Sequence, residues 1–369
     1  MKPIDRYRLA YERKEADRVP FWFEMEGRGA QLAGLPWKEY MEDPKRIASA
    51  SIKATKWFGM DLVYTLCSSY YFCTGWGIKL KWHDDPRFNP DVAEWAIKGP
   101  EDYDKLHVLD PKKDGMMPQV FKAVELISDQ VGEDYPIQLW CFSPLTSLYS
   151  HIASPERMED LLLEPDAVHR GLRAVTDNYK EIMKAFRDAG GNYWQMVEAH
   201  ANPDFVSLEQ TKEFAVPYDT EILKEAHRLG MPTLLNMNTS LETYWELLIN
   251  PNRNYLDCLR VNFKKYGAPL SQVDWKSSLR HWKQKYGKDF CLMTGPDSIA
   301  EALHYTPEQL EVFAKEMLEI MAPGGGFILG VLGCGSPEMT DENLFALRRA
   351  IDKYGVYSQG KYGVNPMWG

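Results

Sequence analysis

VHRGLRAVTDNYKEIMKAFRDAGGNYWQMVEAH, residues 168–200, decides the fold. Val168, Leu172, Val175, Tyr179, Ile182 and Phe186 recur at three- and four-residue spacings, the signature of a helix with one apolar face. Gly190 and Gly191 stop that helix, and YWQMV, residues 193–197, reads as a buried strand. Moving toward the N-terminus, PIQLWCF (136–142) follows a helix marked by Val120, Val124, Ile127 and Val131. DLVYTL (61–66) follows a helical stretch at 44–58, and VPFWFE (19–24) is the first apolar run. Toward the C-terminus, PTLLNM (232–237) follows a helix ending at Gly230. LSQV (270–273), FCLM (290–293) and FILGVL (327–332) come next, each after glycine, with a last helix at 341–354. Eight strands alternating with helices imply parallel pairing with helical crossovers. Over 369 residues this predicts an α/β chain folded as one (β/α)8 TIM barrel, residues 1–369, with a helical extension before the first strand.

Composition narrows the function. There are 53 acidic against 43 basic residues, a net charge of −10, and no basic stripe, so nucleic acid is excluded as a partner. No window holds the roughly 18–20 apolar residues of a membrane span. The opening MKPIDRYRLAYERKEADRVP lacks the apolar core of a secretion signal, which points to the cytoplasm. Cys67, Cys73, Cys141, Cys258, Cys291 and Cys334 show no C-x-x-C pair and read as free thiols of a reducing compartment. Aromatic residues make up 13% of the chain, and many fall at strand ends.

A barrel keeps its chemistry at the C-terminal ends of its strands. Those ends carry Glu24, Glu26 and Arg28, then Ser68, Ser69, Tyr70 and Tyr71, then Trp140, Phe142 and Ser143. The later ends carry Glu198 and His200, Asn236 and Asn238, Asp274 and Trp275, Thr294 and Asp297, and finally Cys334. The mouth is rich in carboxylates and aromatics and poor in Lys and Arg. Glu198 and His200, two apart, should point the same way. They read either as a loop or salt-bridge pair, or as a general acid/base with a donor to substrate. Asn236 and Asn238 either cap the next helix or orient a polar substrate. Glu24, Glu26 and Asp274 are binding groups or partners of Arg28. Trp22, Tyr64, Tyr70, Trp140 and Phe142 either pack the barrel or sandwich a planar substrate. Geometry predicts that Glu198, His200, Asn236, Asn238 and Cys334 converge on one pocket.

Five segments, in order, resemble the uroporphyrinogen decarboxylase superfamily. RVPFWFEMEGR is similar to its first strand and GMDLVYTLCSS to its second; FSPLTSLYSHI is similar to the stretch after the third. VEAHANPDFVSLEQTKEFAVPYDTEIL resembles the fourth strand with its helix, and GGGFILGVLGCGSPEMTDENLFALRRAIDKYG the closing unit. The family's decarboxylases use an Arg pair on the first strand, an Asp after the second and a His on the eighth. Here Phe23-Glu24-Met25-Glu26 leaves only Arg28, Cys67-Ser68-Ser69 replaces the second-strand motif, and Cys334 stands where the His would be.

The resemblance therefore implies the other branch, the corrinoid-dependent methyltransferases, in which a corrinoid (cobalamin) protein is the partner. In that branch zinc is held by a His-x-Cys motif after the fifth strand and by a Cys in a Gly-Cys-Gly turn after the eighth. This chain keeps Gly333-Cys334-Gly335 but has Asn236-Met237-Asn238 at the fifth strand, and amides are poor zinc ligands. Zinc, if bound, falls to Glu198, His200 and Cys334. The activity implied is transfer of a methyl group from a small donor, with an aromatic methyl ether (O-demethylation) matching the aromatic mouth. The rivals are a decarboxylase anchoring its substrate on Arg28, a zinc-dependent thiol methyltransferase, and a zinc-less non-catalytic paralogue.

Overall fold

The computed structural model describes residues 1–25, 28–265, 267–333 and 338–357. Seven strands lie in the sheet in the order of the chain: β1 (Val63–Tyr64), β2 (Ile137–Phe142), β3 (Tyr193–Glu198), β4 (Thr233–Met237), β5 (Cys258–Arg260), β6 (Cys291–Thr294) and β7 (Phe327–Leu329). Every neighbouring pair is parallel. The eighth position is filled by the chain around Phe21, which bridges Leu329 in parallel. The Trp22 N–H donates to the Leu329 carbonyl at 3.1 Å, and on the other flank the Asp61 N–H donates to the Phe21 carbonyl at 2.8 Å. The sheet thus closes on itself as a (β/α)8 barrel. The strand expected at 19–24 contracts to this one bridge, since Pro20 has no N–H to give to a ladder.

Helices fill the intervals as the apolar spacing requires. They are α1 (Pro3–Tyr11), α2 (Pro44–Phe58), α3 (Met117–Val131), α4 (Pro165–Asp188), α5 (Val216–Arg228), α6 (Glu242–Asn252), α7 (Trp275–Tyr286), α8 (Pro307–Met321) and α9 (Asp341–Tyr354), with shorter turns between them. In α2, Asp43 accepts the Lys45 N–H at the start, and Gly59, with φ +64°, ends the helix in the left-handed region. The helical extension is α1. Its Tyr7 and Tyr11 meet Tyr193, at the entry of β3, edge-on at 5.4 and 5.1 Å, so α1 covers the bottom of the barrel. Among the described residues no helix is long and apolar enough to cross a membrane.

One strand differs from expectation. Residues 270–272 form a short 3-10 turn, and the sixth strand is β5, the tripeptide Cys258-Leu259-Arg260. A strand this short, ending in arginine, carries no apolar run to betray it. Asp274 consequently leaves the mouth. It is exposed, and it caps α7 by accepting the Ser277 N–H at 3.1 Å. Trp275 packs in the helical shell on Phe263 and Phe313.

The closing seam tolerates no side chain at two glycines. A Cβ on Gly330 would come 2.6 Å from the Trp22 carbonyl oxygen, and one on Gly295 would collide with the Gly330 carbonyl. Gly330→Ala is expected to destabilise the protein by the ~1–3 kcal/mol typical of overpacking. Equilibrium denaturant unfolding measures this, and an unchanged midpoint would mean that the seam is slack.

Candidate active site

Polar side chains buried inside the barrel form one network. On β2 and β3, Gln138 and Gln195 point inward: the Gln138 amide donates to Gln195 Oε1 at 2.6 Å, and Gln195 Nε2 donates to Glu24 Oε1. Arg260, at the end of β5, brings Nη1 to 2.8 Å from Glu24 Oε2. Its Nη2 donates to the carbonyls of Val331 (2.6 Å) and Gly333 (2.8 Å). Gln138, Gln195 and Arg260 have no exposed surface, and Glu24 is 3% exposed. An ion pair so buried depends on further hydrogen bonds to its partners, which Gln195 and the two carbonyls supply here. Sequence reading found Glu24 alone. The available signal was a glutamine inside each of two otherwise apolar strands.

Aromatic side chains line the same space. Trp22 meets Tyr64 at 5.8 Å and Trp140 meets Phe142 at 4.7 Å. Phe142 and Tyr70 lie 4.8 and 4.7 Å from His151. Alternation puts Asn236, opposite Val197 in register and 5% exposed, on the inward side of β4. Asn238 lies one step past the strand and is exposed. Trp140, Phe142 and Asn236 thus face inward near the strand ends, with Tyr70 beside His151, whereas Trp22 and Tyr64 lie lower, level with Gln138 and Tyr193 at the strand entries.

Other expectations need correction. Gln195 faces the lumen, so Glu198, three residues on, faces the helical shell. There Glu198 Oε1 accepts from Thr146 Oγ1 at 2.8 Å and from the N–H groups of His200 and Ala201, each at 2.7 Å. Asp219 of α5, fully buried, lies against the Glu198 carboxylate, and burial together with that charge raises its pKa well above the ordinary carboxyl range. The turn that Glu198 pins breaks the alternation, so His200 parts from it and packs on Phe205 at 4.4 Å. The predicted convergence of Glu198 with the mouth fails for this reason. Arg28 is also spent: Nη1 bonds the Asp341 carboxylate at 2.9 Å, and Nη2 bonds the Met339 carbonyl. Glu26 and Cys334 lie outside the described residues. Past β5 and β6, Lys264 is locked to Asp297 (3.1 Å) and Glu301 (3.3 Å), so that buried cation is neutralised too.

Two histidines stand at the C-terminal ends of adjacent strands. His200 follows β3, and His151 follows β2 on a π-helical turn, Leu148–Ile152, a conformation often found at functional sites. Sequence reading missed His151, which is 5% exposed. Burial and the neighbouring His200 push its basicity down to about 3. Burial also lowers that of His200, against the opposing pull of Glu198. The described residues do not fit zinc. Among them no three His, Cys, Asp or Glu side chains gather as a metal site, and Glu198 is turned away from the mouth.

A family model described as uroporphyrinogen decarboxylase (URO-D) matches residues 2–354. Among curated proteins the chain is similar to the methylcobamide:CoM methyltransferase MtbA of Methanosarcina mazei. They are 23% identical over 348 residues, spanning 92% of this chain and 94% of that protein. It is also similar to the methylated-thiol–coenzyme M methyltransferase of the same organism, 24% identical over 246 residues, 66% of this chain and 60% of that protein. The solved structure of a methyltransferase from Methanosarcina mazei shares the fold, with a TM-score of 0.78 at 20% identity, covering 96% of this chain and 99% of that one.

Proposed function

The chain belongs to the uroporphyrinogen decarboxylase family, and from that premise we propose that it is the methyl-transferring component of a corrinoid-dependent system. The donor we assign is a small aromatic methyl ether, and the acceptor a corrinoid carried by a separate protein. The observation that carries this reading is a barrel whose inner wall near the strand ends carries Trp140 and Phe142, and whose buried cations, Arg28, Arg260 and Lys264, are already matched by carboxylates. A polycarboxylate substrate would find those cations engaged. A flat uncharged ring finds aromatic faces. The two relatives named above, both methyltransferases acting with coenzyme M, support the class of reaction.

A reduced corrinoid on the partner supplies the nucleophile that accepts the methyl group. The chain's own residues seat the ether with its methyl carbon toward the opening and its oxygen toward the wall. As the carbon–oxygen bond breaks, its electron pair stays on the oxygen, and hydrogen-bond donors placed there lower the barrier. Glu198, committed to Thr146 and two backbone N–H groups, is not available as that acid; His200 is the predicted candidate left at the mouth. Phe205, Leu241 and Ile299, 53%, 48% and 47% exposed on the loops after β3, β4 and β6, give a partner apolar ground at the rim. The free thiols Cys67, Cys73, Cys141, Cys258 and Cys291 favour a cytoplasmic setting.

The test is to mix the purified protein with reduced free cobalamin and methoxybenzene, following corrinoid methylation and phenol release together. Stoichiometric formation of both is expected. Release of carbon dioxide from an aryl carboxylate, with no transfer from the ether, would replace this reading with decarboxylation. Chelator treatment is expected to leave the transfer rate unchanged, because no step is assigned to zinc. A loss reversed by added zinc would return the chain to the thiol-activating type.

A further inference from the structure

His151 and His200 share one feature. In each, Nδ1 is closed off from solvent and has no hydrogen-bond partner among the described residues. A buried nitrogen left unpaired costs stability that a ligand's hydrogen bond would restore. The side chains are 5% and 7% exposed and follow neighbouring parallel strands, and charge on His200 disfavours charge on His151.

We propose that His151 and His200 form a two-imidazole subsite that grips an uncharged oxygen of the substrate, a phenolic hydroxyl or an aryl ether oxygen. Burial keeps both rings neutral at physiological pH, with His151 needing about pH 3 to charge. Each ring then offers one N–H and one lone pair. A phenol satisfies both rings at once, accepting from one N–H and donating to the other ring's lone pair. An ether oxygen accepts one N–H. When its O–CH3 bond breaks, the electron pair remains on that oxygen, the imidazole N–H bears on the new negative charge, and water supplies the proton of the released phenol. A carboxylate ligand fits less well, since the charge acting on His200 is already that of Glu198. Aromatic rings flank the two imidazoles: Tyr70 and Phe142, half-buried, lie 4.7 and 4.8 Å from His151, and the exposed Phe205 lies 4.4 Å from His200.

This assignment takes its substrate from the aryl-ether reading, so the experiment measures binding apart from turnover. Phenol is titrated into the full-length protein without corrinoid, following heat and the NMR signals of ring-labelled histidine. The expected result is saturable binding that shifts the His151 and His200 signals and keeps the same strength from pH 6 to pH 8. His151→Phe and His200→Phe should each weaken phenol about tenfold, while leaving toluene binding as it is. His151→Asn, which puts an amide nitrogen near the place of Nδ1, should recover most of the loss. If a phenylalanine variant fails to fold, the histidine signals of the wild-type protein decide. No phenol binding, binding that leaves both signals unmoved, or equal affinity in folded variants would overturn the subsite. Phenol held by these histidines without methyl transfer from methoxybenzene supports the subsite and removes the aryl-ether reading instead. Transfer with unchanged kcat and KM in both phenylalanine variants removes the subsite and leaves that reading standing.

Discussion

Glu24→Ala is expected to destabilise the barrel by about 3–5 kcal/mol, because it strands a fully buried guanidinium. Arg260 has no exposed surface, and Glu24 is the carboxylate it faces, at 2.8 Å. Water cannot take over that role inside a packed lumen, and the carbonyls of Val331 and Gly333 offset only part of the charge. The same substitution deprives the Gln195 amide of its acceptor, which adds a second unpaired group. Urea unfolding of the single variant, of Arg260→Met and of the double variant Glu24→Leu/Arg260→Met separates the terms. The single variants should each lose several kcal/mol, and the double variant should recover much of it, since an apolar pair of similar volume often equals a buried ion pair. Additive losses would mean that the two residues act independently and that the network is not a unit.

Much of the fold could be read from the sequence, because apolar spacing and glycine punctuation are strong where helices are long. The helices expected at 44–58 and 341–354 coincide with α2 and α9. The elements that escaped are those whose pairing rests on tertiary partners. Cys258-Leu259-Arg260 is a strand through its ladders to both neighbours, and its buried arginine is matched by Glu24, more than two hundred residues earlier. The first strand shrinks to a single bridge at Phe21 because proline precedes it. The site was legible by the same measure. Trp140, Phe142 and Asn236 are inward-facing, as strand ends imply. Glu198 was misread because its direction depends on strand parity, and parity becomes visible only once Gln195 is seen bonded across the lumen. His151 lies nine residues beyond its strand, past the short helix Pro144–Ser147, where no alternation rule reaches.

Glu198 and Asp219 carry the second large effect, and here pH is the lever. Glu198 Oε1 already serves three donors, and burial beside Glu198 holds the proton on Asp219. In the unfolded chain Asp219 titrates near the ordinary value of about 3.9. In the folded protein it holds its proton to much higher pH, so between those limits the folded state binds more protons than the unfolded one. Stability from this pair is therefore complete below about pH 4 and drains away as pH rises through the folded value. Asp219→Asn removes the ionisation while keeping an N–H donor for Glu198. The variant should match the wild-type protein below about pH 4 and exceed it increasingly toward pH 9 in thermal melts. Glu198→Ala should instead lose about 3 kcal/mol or more at every pH, because Thr146 and the backbone of His200 and Ala201 all forfeit their acceptor. The turn that aims His200 would slacken with it, so phenol affinity should fall alongside stability in Glu198→Ala and stay intact in Asp219→Asn. Parallel melting curves for Asp219→Asn and wild type across this range would show that the two carboxyl groups do not share a proton.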